Sequence, residues 1–256
     1  MKIGLIGFGK AGKAVANVVL QHKEYTLEWV VRNSKMMEHA SAKEFLGVDC
    51  TDPALIVSKQ GLDIKDLLDA YPVDVIIDFS TEEGIYLYGK VAAEKKIKII
   101  SAVSHYSEKE KAFLKQLSAN AVVFWSPNIT LGVNYLLFAA SLLKNIAPEV
   151  DIEVIEEHFK AKSGISGTAV KIAEALDIET ESINSVRVGG IVGKHEVIFG
   201  FPYQTVRLVH ESISREAFGN GALFVAKNLT DKLNGLYNFE DILRPYFFNE
   251  SRNNLS

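Results

Sequence analysis

Eleven residues of this chain carry His158, Lys162 and the run Ser166-Gly167-Thr168. A histidine exchanges a proton near neutral pH, and a lysine beside it supplies a fixed positive charge. A serine, a glycine with a bare amide and a threonine at the start of a helix make a cradle for an anion, and a carboxylate suits it well. His158 alone reads as an ordinary strand-end histidine. With Lys162 and the Ser-Gly-Thr run beside it, it becomes a candidate acid, and Ser166, Gly167 and Thr168 become candidate binders of an anionic substrate. His195 and His210 lie in strand-like segments and read as structural, while His22, His39 and His105 have no matching surroundings.

A second group of residues points to a cofactor. Gly7-Phe8-Gly9-Lys10-Ala11-Gly12 fits G-x-G-x-x-G, follows an apolar strand and opens a helix. Gly7 permits the tight turn, Gly9 lets backbone approach a pyrophosphate, and Gly12 lets the helix pack close to the sheet. The helix start then receives phosphates through its N–H groups and dipole. Lys10 adds charge, and Ala11 sits in the same turn. At the end of the second strand, Val30-Val31-Arg32-Asn33-Ser34 offers no carboxylate for a ribose, but it offers Arg32. An arginine suits a 2′-phosphate, so NADPH is expected in preference to NADH. The bland alternative is a solvated surface arginine. Asp78-Phe79-Ser80 ends a buried strand at its carboxyl end, where ligands of such sheets bind, making Phe79 and Ser80 cofactor candidates. Ser80 or Thr81, followed by Glu82 and Glu83, reads equally well as a helix cap.

These residues need elements to hold them. From Lys2 to Trp125 strand-like and helical segments alternate, and Val73 to Asp78 is a nearly continuous apolar run of the kind that suits a strand buried on both faces. The alternation predicts a doubly wound parallel α/β sheet, with Lys35 to Gly61 left as a loop holding at most a short helix or strand. Beyond Pro127 the rhythm changes. A long apolar helix over Leu131 to Ile146 leads to an alternating strand over Asp151 to Glu157. The Lys162–Gly167 loop and a helix from Thr168 follow. Three strand-like segments come next, then a long helix over Arg215 to Leu233. Strands without intervening helices predict a second, α+β domain on a mixed sheet. The expected division is 1–127 plus 236–256 for the dinucleotide-binding domain and 128–235 for the substrate-binding and oligomerisation domain.

Composition narrows the class. The 256 residues are 48% hydrophobic and 23% charged with a net charge of -4, an ordinary globular mix without the basic footprint of a nucleic-acid binder. Cys50 is the single cysteine, so neither an internal disulfide nor a thiolate zinc site is available and no metal is expected. This agrees with a reducing, cytoplasmic compartment. No signal peptide and no membrane span are read in the sequence.

Taken in order, the motifs resemble the 4-hydroxy-tetrahydrodipicolinate reductase (dihydrodipicolinate reductase) family of the lysine and diaminopimelate pathway. The resemblance covers most of the chain. It runs through the glycine turn, Asp78-Phe79-Ser80, and Ser126-Pro127-Asn128 with Gly132-Val133-Asn134. It continues through Glu156-Glu157-His158 with Lys162 and Ser166-Gly167-Thr168-Ala169, and through Arg187 to Glu196. His210, Ser214-Arg215, Phe218, Gly221-Ala222 and Gly235-Leu236-Tyr237 complete it. It implies an NAD(P)H-dependent reduction of a cyclic dicarboxylate imine, with His158 as acid, Lys162 as its cationic partner and Ser166, Gly167 and Thr168 on the carboxylate. By the same resemblance Ser101 and Asn128 approach the cofactor, the C-terminal segment returns to the Rossmann domain, and the protein is a homotetramer built through the second domain's sheet.

This chain departs from the family pattern at three places. Phe159 stands where a second histidine is common. The Lys162–Ser166 loop lacks the usual Asp and Pro and is one residue shorter. Ser101-Ala102-Val103-Ser104 replaces a Gly-Thr-Thr-Gly-like segment. Two other readings therefore stand beside the reductase: a dinucleotide-binding sensor without catalysis, and a related imine or amino-acid dehydrogenase with a different substrate.

Overall fold

A computed structural model describes residues 1–35 and 40–248. Part of the stretch read as a loop (36–39) and the end of the tail (249–256) lie outside the described residues. The chain divides into two units, one of residues 1–129 with the segment from Phe218 onward, the other Thr130–Ala217.

The first unit is built on a seven-stranded sheet whose pairings are all parallel. Its strands are β1 (Lys2–Ile6), β2 (Thr26–Arg32), β3 (Leu55–Ser58), β4 (Val75–Asp78), β5 (Lys98–Ser101), β6 (Val122–Trp125) and β11 (Gly235–Tyr237). They lie in the order β11-β6-β5-β4-β1-β2-β3, so the winding reverses between β1 and β4. That reversal opens a crevice at the carboxyl ends of the two strands, where the Gly7 turn and Asp78-Phe79-Ser80 sit. Ile3, Leu5, Val30, Ile76 and Ile77 are buried, as the apolar runs require of strands covered on both faces. Trp29 fills the space over β1. A Cβ on Gly4 would stand 2.3 Å from its ring, so Gly4 makes room for the indole.

The helices of this unit are α1 (Lys10–Gln21), α2 (Ala42–Leu46), α3 (Ile64–Ala70), α4 (Gly84–Glu94), α5 (Glu108–Leu117), α8 (Glu216–Asn228) and α9 (Phe239–Phe248). Ser107 and Glu110 form a reciprocal capping box at the start of α5. The stretch read as a loop holds α2 and β3. β3 is short, and its partner β2 supplies the ladder that makes it a strand. The expected domain boundary at 235 needs correcting. Helix α8 belongs to the first unit, because a Cβ on Gly219 would stand 2.6 Å from Val18 of α1, a close helix–helix approach that residue 219 allows as glycine. That helix also stops at Asn228, short of Leu233. The chain then joins the parallel sheet, with Leu236 opposite Val123.

The second unit carries α6 (Leu131–Ile146), β7 (Asp151–His158), α7 (Gly167–Leu176), β8 (Asn184–Arg187), β9 (Gly193–Phe201) and β10 (Gln204–Ser212). Its sheet is mixed, in the order β10-β9-β7-β8, with β7 and β8 parallel and the other pairs antiparallel. One face packs Val154, Val197 and Phe199 against Leu136 and Ala140 of α6 and Ile172 and Leu176 of α7. Alternation then directs Glu156, His158 and His195 to the same inward side, and all three are buried. Among the described residues no helix is long and apolar enough to cross a membrane.

Asp78 is the buried carboxyl at the end of β4. Its Oδ1 accepts from the Ser80 N–H at 2.8 Å and the Ser80 hydroxyl at 2.6 Å, and its Oδ2 accepts from the Tyr88 hydroxyl at 2.9 Å. Burial outweighs these bonds and raises its pKa from 3.8 to about 6. A folded-state value above the unfolded one means that the folded protein keeps this proton longer. Its stabilising effect is full below pH 3.8 and is lost as pH rises to about 6, at a cost of about 3 kcal/mol. Asp78→Asn keeps the shape and cannot ionise. Denaturant midpoints of the variant, relative to the parent, should therefore rise between acid and neutral pH; a constant difference would refute this role for Asp78.

Candidate functional site

The first unit's site grows from the chain reversal after β1. Gly7 adopts φ +96°, a conformation that favours glycine, and a Cβ there would stand 2.6 Å from the Phe79 carbonyl oxygen. A Cβ on Gly12 would stand 2.0 Å from the Gly7 carbonyl oxygen, so α1 can begin this close to the strand only with glycine at 12. Gly9 caps α1 without any side-chain hydrogen bond, and among the described residues a Cβ added to it would meet nothing within 4 Å. A helix start that lacks a side-chain cap and faces open space is suited to phosphate. A cleft of about 600 Å³ opens there, lined by the Gly7–Gly9 turn, Val31 to Ser34, Lys59, and Phe79 to Thr81, among others.

The second unit's site is a cluster of titratable side chains under β7, β8, β9 and β10. The Glu156 carboxylate has no exposure to water. Its Oε2 meets His158 Nδ1, and its Oε1 accepts from Arg187 Nη2 and, at 2.6 Å, from the Ser185 hydroxyl. Burial alone would push this carboxyl up; the bonds from Arg187 and Ser185 and the charge of His158 reverse that and hold it below its usual range. Burial pushes the His158 imidazole down, and Glu156 opposes the push. Arg187 also donates from Nε to the Lys162 carbonyl at 3.2 Å and from Nη2 to the Gly164 carbonyl at 2.6 Å.

Ser166 caps α7. Its Oγ accepts from the Ala169 N–H at 3.0 Å and lies 2.9 Å from His195 Nε2. His195 packs edge-on to His158, with ring centroids 5.4 Å apart, and stacks with His210 at 6.4 Å. Burial, with the charges of His158 and His210, lowers His195 to about 4, so this ring is neutral at physiological pH. Among the described residues, the Nδ1 atoms of His195 and His210 are buried without a hydrogen-bond partner. Gly167, the first residue of α7, is exposed, with nothing within 4 Å of where its Cβ would stand.

Two family models divide the chain between them. Dihydrodipicolinate reductase, N-terminus, matches residues 1–129, and Dihydrodipicolinate reductase, C-terminus, matches residues 130–243. The chain belongs to the dihydrodipicolinate reductase family. It is 35% identical over 204 residues to a 4-hydroxy-tetrahydrodipicolinate reductase of Caldanaerobacter subterraneus, spanning 71% of this chain and 80% of that protein. It is 30% identical to the Thermosipho africanus enzyme of the same name, over 96% of this chain and 100% of that one. A dipicolinate-bound dihydrodipicolinate reductase from a Paenisporosarcina species shares the fold at a TM-score of 0.76 and 19% identity, covering 94% and 98% of the two chains.

Within this family frame the sequence-predicted residues fall into groups. Gly7, Gly9, Arg32, Phe79 and Ser80 line one cleft, and Lys10, Ala11 and Gly12 open the helix beside it. Ser80 does not cap α4, whose N-cap is Glu83; its hydroxyl is turned to Asp78. Asn128 is half-buried, and its carbonyl accepts from the Ser126 hydroxyl at 2.6 Å. Ser101, expected near the cofactor, ends β5. It has no exposure, and its hydroxyl pairs with that of Tyr106 at 2.8 Å, so it faces the protein interior.

In the second unit, His158 and Ser166 enter one cluster, with Lys162 in the loop held by Arg187. Thr168 stands in the first turn of α7. Sequence reasoning missed Glu156, Arg187 and Lys59, and it set His195 aside as structural. The alternation of β7 was a usable signal for Glu156, since it puts residues 156 and 158 on one face. Arg187 had no local pattern to show its role, because Gly164, Lys162 and Glu156 lie 23, 25 and 31 residues away along the chain.

The glycines separate packing from binding. Gly12→Ala should lose about 1–3 kcal/mol of stability, because its methyl group meets backbone. Gly9→Ala should melt close to the parent and bind dinucleotide more weakly. Thermal melts with and without cofactor test both, and a Gly9→Ala protein with unchanged affinity would remove the phosphate role of this turn.

Proposed function

We propose that this chain is a 4-hydroxy-tetrahydrodipicolinate reductase that uses NADPH in preference to NADH, binds its dicarboxylate substrate in the second unit and works as a cytoplasmic homotetramer. The observation that carries the reaction is the buried His158, held by Glu156 in the cluster that also contains the Ser166 start of α7.

The Gly7–Gly12 turn and the α1 start fit a dinucleotide, since Gly9 leaves open space where a side chain would block it. When bound, the nicotinamide supplies the hydride for the unsaturated ring. The remaining steps fall to the chain's own groups. Gly167 and Thr168 offer the α7 start to a substrate carboxylate, and Ser166 sets where that helix begins. Lys162 balances the negative charge of the dicarboxylate. His158 has Nδ1 occupied by Glu156, so Nε2 is the atom that delivers the proton completing the reduction. Exposed Phe159, in place of a second histidine, offers the substrate no hydrogen bond.

For the cofactor preference, Arg32 ends β2 in the cleft, and the Lys59 N–H donates to the Arg32 carbonyl at 2.6 Å, bringing a second cationic residue to the same rim. For the oligomer, the outward face of the second sheet carries partly exposed Ile155, Ile198 and Val209 among charged residues, a face with room for another copy.

Four measurements test this reading. NADPH oxidation with freshly generated hydroxy-tetrahydrodipicolinate should proceed faster than NADH oxidation at equal concentrations. Arg32→Glu should shift the preference toward NADH; equal affinities in the parent would sink the NADPH assignment. His158→Ala and Lys162→Ala should each lower turnover by about a hundredfold or more with cofactor affinity nearly unchanged. Turnover within about twofold of the parent in both would make these two residues structural, and a parent without turnover would give the sensor reading the stronger claim. Light scattering should return four times the chain mass, and a stable monomer would contradict the assembly.

A further inference from the structure

We infer that Arg187 and Glu156 are positioning residues: Glu156 fixes the His158 ring with Nε2 as its exchanging atom, and Arg187 ties that pair to the loop carrying Lys162. The inference rests on the reductase reading, in which His158 is the proton donor.

Arg187 uses all three nitrogens of its guanidinium. Nη2 reaches Glu156 Oε1 and the Gly164 carbonyl, Nε reaches the Lys162 carbonyl, and Nη1 donates to the Val186 carbonyl at 2.8 Å. One rigid fork thus spans β7, β8 and the loop, a geometry that an ammonium cannot reproduce. The loop lacks the proline and aspartate common in the family and is a residue shorter; here its backbone carbonyls are held by Arg187. Glu156 in turn takes His158 Nδ1. A neutral imidazole giving its N–H to a carboxylate keeps its lone pair on Nε2, and the charged ring carries its second N–H there.

The residue facing that edge is Gly193. A Cβ on it would stand 3.0 Å from Nε2 and 3.4 Å from Cδ2, so glycine keeps the working nitrogen uncovered. The ionisable groups around His158 are Glu156 on β7, Arg187 on β8, His195 on β9 with His210 on β10 behind it, and Lys162 in the loop. Glu156 is the one carboxylate among these, so it alone favours the protonated ring.

Glu156→Gln keeps the side-chain shape and removes the charge. The His158 ring signal, followed by NMR across pH and assigned by its loss in His158→Gln, should titrate about one unit lower or more. The pH limb of kcat/KM should move by the same amount, for about a tenfold loss of rate above it. Should Glu156→Gln not fold, Glu156→Asp draws the carboxylate back by one methylene and should lower the same titration. Arg187→Lys keeps a cation beside Glu156 and loses the loop carbonyls. Its KM for the dicarboxylate should rise about tenfold, more than kcat falls, with the His158 titration moved by less than about half a unit. An unchanged His158 titration in the Glu156 variants, or equal KM in Arg187→Lys, overturns the inference. A parent protein without reductase activity would instead overturn the reaction and leave the titrations to be read on their own.

Discussion

Glu156 is a carboxylate without contact with water, and the second unit is arranged around that fact. An unpaired buried charge is strongly destabilising, so its oxygens must be met by donors. Arg187, Ser185 and His158 meet them, from β8 and from two residues further along β7. Each is thereby fixed in place. The histidine gains one defined ring orientation, and the arginine, anchored at one end, has its remaining donors for the backbone of the Lys162–Gly164 loop. The charge that is costly to bury is what gives the site its order.

The first unit solves a different problem, that of bringing backbone close to a ligand. Gly4, Gly7 and Gly12 each stand where a Cβ would overlap a neighbour: an indole, the Phe79 carbonyl and the Gly7 carbonyl. Their absence of side chains lets β1, α1 and the end of β4 converge. Asp78 stiffens the far wall by accepting three hydrogen bonds from Ser80 and Tyr88. Its hold on Ser80 explains why that serine, which suits a helix cap by type, is not one.

The departures from the family pattern look different once the neighbours are known. The shortened loop after Lys162 is braced by a guanidinium. Ser101, in place of a glycine, is accommodated because Tyr106 takes its hydroxyl into the interior. Family membership, shown over both halves of the chain, and the retained His158, Lys162 and α7 start are consistent with one another.

The sequence by itself determined what depends on local pattern. Apolar runs set the parallel strands, the change of rhythm after Pro127 marked the second unit, and the glycine turn placed the crevice at the end of β1. These follow because strand burial, helix period and positive φ are properties of a few adjacent residues. Tertiary structure alone decided the rest. Strands β3 and β11 are too short to declare themselves and exist because β2 and β6 offer them partners. Helix α8 joined the first unit because Gly219 lets it pack on Val18. His195, read as structural, came to lie against Ser166, 29 residues away, and Arg187 came to hold both Glu156 and the loop. Such bonds join residues remote in the chain, and a hydrogen bond between distant residues leaves no periodicity to read; only the folded register brings its two ends together.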